Sequence, residues 1–264
     1  MSANAEARLS SLDRVLDAQP VSEAMADDLF AAVDALGAQP ALRRALTDPT
    51  TADEARAAMA SSLFGGKVSD GAVAVIGEAS RLRWSTTGAL ASALEREAIR
   101  ALFGVAQRAG QLDEVEDQLF KVGRLVDANR DLRATLADRQ TPVAARQDLL
   151  GGLIMGRVSP LVDRLARRAV LARARTFDLT LESYLGLAAD LRRRAIATVE
   201  VARPMTADQE ARLRAALTAQ VGREVNLRVV VNPAVLGGVR VSLGDEVIEG
   251  TVAGRLADAE RKLS

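Results

Sequence analysis

Leu42-Arg43-Arg44-Ala45-Leu46-Thr47-Asp48 returns as Leu132-Arg133-Ala134-Thr135-Leu136-Ala137-Asp138, an offset of 90 positions from 42 to 132. The register continues without a gap, setting Thr51 on Thr141, Arg56 on Arg146, Leu63 on Leu153 and Gly66-Lys67-Val68-Ser69 on Gly156-Arg157-Val158-Ser159. Upstream it pairs Leu29-Phe30 with Leu119-Phe120, and Leu9, Leu12 and Val15 with Ile99, Leu102 and Val105. Shared Ala, Leu and Arg content does not align Gly, Asp and Thr over such a span, so the chain contains an internal duplication.

Inside each copy the apolar residues are helically spaced. Leu9, Leu12 and Leu16, then Met25, Leu29, Val33 and Leu36, step by three or four and draw one buried stripe. Breaks fall at Gln19-Pro20, Gly37, Asp48-Pro49, Gly65-Gly66, Gly110, Arg139-Gln140, Gly151-Gly152 and Gly156. Two small bundles with short loops follow, and the stretch from Thr86 to Ala109 has no strong break, so the bundles share or abut at one longer helix.

Beyond about Arg194 the period changes to two. Ile196, Thr198 and Val201 lie in a β-branched run ended by Pro204, and Val225, Leu227, Val229 and Val231 alternate as a strand does. Between them Thr206-Ala207-Asp208-Gln209 is a capping box opening a helix through Val221, with Gly222 at its C-terminal side. Strands over Val239–Leu243 and Glu246–Ile248 and a closing helix from about Val252 to Leu263 complete the pattern. The expected fold is mainly α with a small α/β C-terminal module: tandem bundles over 1–90 and 91–194, then a β-α-β-β-β-α domain over 195–264.

Composition narrows the function. Apolar residues are 48% and charged residues 27%, enough to fold. Lys plus Arg equals Asp plus Glu at 35 each, which removes the general attraction to phosphate that nucleic-acid binders use. Without cysteine there is no disulfide or thiolate chemistry, and without histidine the commonest general base and metal ligand are missing. No catalytic residue, cofactor or metal site is expected. The start, Met1-Ser2-Ala3-Asn4-Ala5-Glu6, lacks the basic and apolar regions of a secretion signal, and no run approaches ~18 apolar residues, so a soluble cytoplasmic protein is expected.

The candidate polar motifs read as structural. Gly65-Gly66-Lys67 lacks the Gly and Ser/Thr of a phosphate loop, having Ser61 and Val68 there, and reads as a helix-terminating turn. Arg164, Arg167, Arg168, Arg173 and Arg175, with Arg192-Arg193-Arg194, have no interleaved aromatics for base stacking and read as a solvated helix face, open to pairing with acidic residues of a partner. Trp84 reads as a core or interface anchor, and the carboxylates Asp27-Asp28 and Asp113-Glu114 as surface pairs. A helical scaffold or nucleic-acid adaptor working through the arginine runs is the alternative function.

Two stretches carry a family resemblance. Ala101-Leu102-Phe103-Gly104-Val105-Ala106-Gln107-Arg108-Ala109-Gly110-Gln111-Leu112, with the helices to about Tyr184, resembles the N-terminal helical domain of the F-type ATP synthase δ subunit, the oligomycin-sensitivity-conferring protein family. Val229 to Val241, containing Asn232-Pro233 and Gly237-Gly238, then Gly244-Asp245, Glu249-Gly250-Thr251-Val252 and Arg255-Leu256, is similar to that family's closing signature. The family usually has Asp-Pro and Asp-Gly-Ser where this chain has Asn232-Pro233 and Glu249-Gly250-Thr251. Residues 1 to about 90 lie outside the ordinary pattern. Together with high Ala and Arg and lysines at 67, 121 and 262 alone, they fit a long, actinobacterial-type form.

The resemblance implies a non-catalytic stator subunit, one copy per complex, at the cytoplasmic face of the cell membrane. It would join the N-terminal helices of the ATP synthase α subunits to the b subunit of the peripheral stalk. Nucleic acid is not an expected partner, and membrane association comes through the complex. Because the chain begins at the duplication, the stalk's membrane anchor is expected on a separate chain. Leu102, Val105, Leu119, Phe120 and Leu125, at helical spacing and in excess of what one small bundle buries, are the candidates for the α-subunit groove.

Overall fold

A computed structural model describes residues 3–172, 176–194, 196–221, 225–233, 235, 238–243 and 246–249. The chain divides into two compact units, Met1–Ala188 and Ala189–Ser264, and both copies of the repeat fall within the first. The first copy is α1 (Ala3–Asp17), α2 (Glu23–Ala38), α3 (Pro40–Thr47), α4 (Asp53–Phe64) and α5 (Asp70–Arg81). The second begins inside α6 (Thr87–Arg108) and continues through α7 (Leu112–Asp127), α8 (Arg130–Ala137), α9 (Val143–Ile154) and α10 (Pro160–Val170), followed by α11 (Phe177–Arg194). Displaced by the repeat offset, α3 and α4 have the bounds of α8 and α9, so the helix pattern repeats at the offset read from the sequence.

Local chemistry sets those bounds identically in both copies. The amide of Ser69 donates to Asp28 Oδ2 at 2.8 Å, and that of Ser159 donates to Gln118 Oε1 at 2.7 Å, pinning the fifth helix of each bundle to the second. Gly66 and Gly156 both stand at φ 70°, a left-handed conformation that ends α4 and α9 and that a side chain resists. Lys67 Nζ caps the Leu63 carbonyl at 2.9 Å, as expected of a helix-ending turn.

The core of this unit is aliphatic. Leu12, Leu16, Leu29, Leu36, Leu46 and Ile76 fill the first copy, and Leu119, Val122, Leu136, Leu150, Val162 and Leu165 the second. α6 is the element shared by both. It packs on α1, α2, α3 and α5 as well as on α7, with Leu90, Leu94, Ile99, Leu102 and Phe103 buried along its length.

The second unit is built on a four-stranded sheet in the order β2-β1-β3-β4, from β1 (Ile196–Val201), β2 (Asn226–Val231), β3 (Val239–Leu243) and β4 (Glu246–Glu249). β1 and β2 are parallel, joined through α12 (Ala207–Val221), while β1 to β3 and β3 to β4 are antiparallel. Thr206 and Gln209 form the expected capping box, each side chain accepting from the other's amide. Ala197, Val199, Val201, Val241 and Leu243 pack with Leu217 of α12 and Val225 as the core. The closing helix expected over about 252–263 lies outside the described residues.

Candidate interface

The five groove candidates do not share one surface. Leu102 and Leu119 are fully buried, Val105 and Leu125 are half-buried, and Phe120 is 56% exposed. Leu102 and Leu119 therefore belong to the core and support the surface from beneath. Successive helical residues point about 100° apart, so a core-facing Leu119 turns Phe120 outward. Other exposed apolar side chains went unnoticed in the sequence: Met59 and Leu63 on α4, and their repeat counterparts Leu149 and Leu153 on α9, each about two-fifths exposed, beside Met155. Their signal is an apolar pair off the buried stripe that recurs at the repeat offset.

Two of the three arginines of α10, Arg164 and Arg168, are held by acids of α2 and α6. Arg168 donates to Glu95 Oε1 at 2.8 Å and reaches Asp34 at 2.9 Å, with its guanidinium 4.5 Å from the Phe30 ring centroid. Arg164 pairs with Asp27 and lies 3.6 Å from Glu23. Burial works to lower the pKa of Arg168, but the hydrogen bonds and charge attraction of Glu95 and Asp34 together outweigh it and raise the pKa above its ordinary value. Arg164 and Arg168 are thus ties to the first copy, not the solvated face expected, whereas Arg167 stays partly exposed and pairs with Asp148 and Asp163 of its own copy. Arg173 and Arg175 lie outside the described residues.

A second ionic cluster joins α1 to α6. Arg100 Nη1 donates to Asp13 Oδ1 at 2.6 Å and to Glu97 Oε2 at 3.2 Å, and Nη2 reaches Asp17 Oδ1 at 3.0 Å. Arg96 completes it by pairing with Asp13 and Glu97. Burial pushes the Glu97 carboxyl up despite the pull of Arg100 and Arg96. Trp84 is an anchor as expected, its Nε1 donating to the Ala79 carbonyl at 2.8 Å.

The duplicated arginines Arg56 and Arg146 differ in use. Arg56 bridges α4 to the end of α5, donating to the carbonyls of Ser80 at 2.8 Å, Arg81 at 2.8 Å and Thr51 at 2.6 Å. Arg146 donates to Thr141 at 3.2 Å and Leu136 at 2.9 Å, both within the α8–α9 segment. The second bundle has a cleft of about 560 Å³ lined by Leu136, Val143, Arg146, Val170, Phe177 and Leu179.

In the C-terminal signature, the Asn232 amide donates to the Val201 carbonyl at 2.8 Å and its side chain to Glu200 at 3.0 Å, locking the end of β2 to β1. Pro233 follows in a turn, and Gly238 has φ 84° just before β3. Gly237, Gly244, Asp245, Gly250, Thr251, Arg255 and Leu256 lie outside the described residues. Among the described residues no group of three or more acidic, histidine or cysteine side chains could hold a metal, and no helix is long and apolar enough to cross a membrane.

These features define a mainly helical protein in which clusters of charged side chains tie its own elements together and some apolar residues reach the surface. Residues 99–263 match the ATP synthase delta (OSCP) subunit family. The chain is 44% identical over 255 residues to "ATP synthase subunit delta" of Streptomyces coelicolor, covering 96% of this chain and 93% of that one. It is 39% identical to the protein of the same name from Beutenbergia cavernae, covering 100% of both. A chain of the Toxoplasma gondii mitochondrial ATP synthase hexamer is similar over 62% of this chain and 94% of its own, at 22% identity and a TM-score of 0.31. The chain belongs to the ATP synthase delta (OSCP) subunit family. As a delta subunit it is a structural component of the synthase and not a catalytic one.

Proposed function

We propose that the chain is the stator connector of its ATP synthase, peripheral at the cytoplasmic face of the cell membrane, holding the catalytic head against rotor torque. The near full-length similarity to bacterial delta subunits carries this reading. The segment 91–194 takes an amphipathic N-terminal helix of an α subunit, aided by the exposed Phe120 and the half-buried Val105 and Leu125. The segment 195–264 meets the b subunit. β2 stands at one edge of the described sheet and shows Val230 and Val231 at its exposed end, which suits a docking edge. The adaptor alternative loses support from the pairing of Arg164, Arg167 and Arg168 with acids of this same chain.

The test is affinity purification of the tagged chain with its complex from native membranes, followed by titration of the full chain with an α-subunit N-terminal peptide. Copurification of α and b, a negative heat-capacity change and weak salt dependence are expected. Steep loss of binding with salt, or copurification of nucleic acid in place of α and b, would sink the stator reading.

A further inference from the structure

The repeat shows what one of its faces looks like when covered. On α2, Glu23, Asp27 and Phe30 receive Arg164 of α10: its guanidinium lies 3.6 Å from Glu23 and 5.8 Å from the Phe30 ring centroid, and it pairs with Asp27. Arg168, one turn further along α10, covers the same ring and reaches Asp34. Phe30 is accordingly only 7% exposed. At the repeat offset α7 carries Asp113, Asp117 and Phe120 in the same positions, and there the ring is open at 56%. Asp117 is also exposed, paired with its neighbour Lys121 at 2.6 Å. One sign is reversed: Arg124 stands where the first copy has Asp34.

We propose that this α7 face seats an amphipathic helix of a partner protein, running parallel to α7, with an arginine between Asp113 and Asp117 and over Phe120, and an acidic residue four positions later opposite Arg124. Charge complementarity selects this occupant. The carboxylates and the ring face both favour a guanidinium, while Arg124 repels a second cation where Arg168 sits in the first copy. A second copy's α10 is excluded on two grounds: its Arg168 would meet Arg124, and its arginines are already engaged within their own chain. Phe120 is shared with the α-subunit surface proposed above, and the seat rests on that reading only for the identity of the subunit that supplies the helix.

The probe is a stapled helical peptide with the sequence of residues 160–170 and the change Arg168→Glu, titrated by fluorescence anisotropy into the full chain. Phe120→Ala and Asp117→Lys should each weaken binding about tenfold with unchanged circular dichroism and melting. A peptide also carrying Arg164→Glu should bind Asp117→Lys better than it binds the unaltered chain, and the peptide retaining Arg168 should bind the unaltered chain more weakly. Equal affinity for the unaltered and Phe120→Ala chains, or no binding at all, overturns the seat. Self-association of the chain that Phe120→Ala abolishes overturns it in favour of a second copy as occupant.

Discussion

Arg100 on α6 and Asp13 on α1 are both nearly excluded from water and meet at 2.6 Å across 87 residues of sequence, clamping the start of the first copy to the start of the second. Two buried carboxylates, Asp13 and Glu97, depend on Arg100 and Arg96. Arg100→Leu removes one of the two arginines that both carboxylates share, and loss of one partner from a buried pair costs about 3–5 kcal/mol. Chemical denaturation should show a loss near the lower end of that range, because Arg96 remains. Asp13→Asn/Arg100→Leu should be less damaging than the sum of its parts.

The paired arginines offer an internal control. Arg56→Met removes ties between α4 and the end of α5, whereas Arg146→Met removes only contacts inside α8–α9. At about 1.5–3 kcal/mol per charged hydrogen-bonded group, Arg56→Met should cost roughly twice what Arg146→Met does. Equal unfolding free energies for the two variants would show that the bridge to α5 contributes nothing.

Gly238→Val places a β-branched side chain at φ 84° immediately before β3. The strain is about 1–3 kcal/mol, and hydrogen exchange should rise in β1 and β3 while α1–α10 keep their protection. On the proposed division of labour, binding of b is lost and binding of α survives. Loss of both would join the two functions.

Acid should act through the duplicated loop aspartates. The Thr50 hydroxyl and amide hold the Asp48 carboxyl below its ordinary 3.8, and the Thr141 hydroxyl and Gln140 amide do the same for Asp138. A lowered folded pKa lends stability that is present above 3.8 and lost as pH falls through the folded value. Glu97, raised by burial, acts oppositely: its contribution is present below 4.5 and lost as pH rises through its folded pKa. Melting temperatures of Asp48→Asn/Asp138→Asn should therefore fall less steeply below about pH 4 than those of the unaltered chain; parallel curves would count against this account.

Regular spacing is what the sequence discloses. The helical stripes, the gapless offset, the capping box at Thr206 and the alternation in β2 all repeat with a fixed period, so fold and duplication were legible without coordinates. The surface was not. Leu102 and Leu119 look the same in sequence as groove-lining leucines, and only the packing of α6 and α7 against their neighbours shows that they are consumed in the core. Arg164 and Arg168 look like a solvated run because their acceptors, Asp27, Asp34 and Glu95, lie more than 70 residues away. Such pairings depend on tertiary approach, which has no period to read.

The 22 residues of α6, about 33 Å of continuous helix, fix the angular phase between the two halves of the repeat. One residue inserted near its middle would turn its far half by about 100° and swing Arg100 away from Asp13. Natural length changes in this helix should therefore arrive as whole turns, near seven residues at a time, and chains that break this rule should carry a different set of ionic partners along α1.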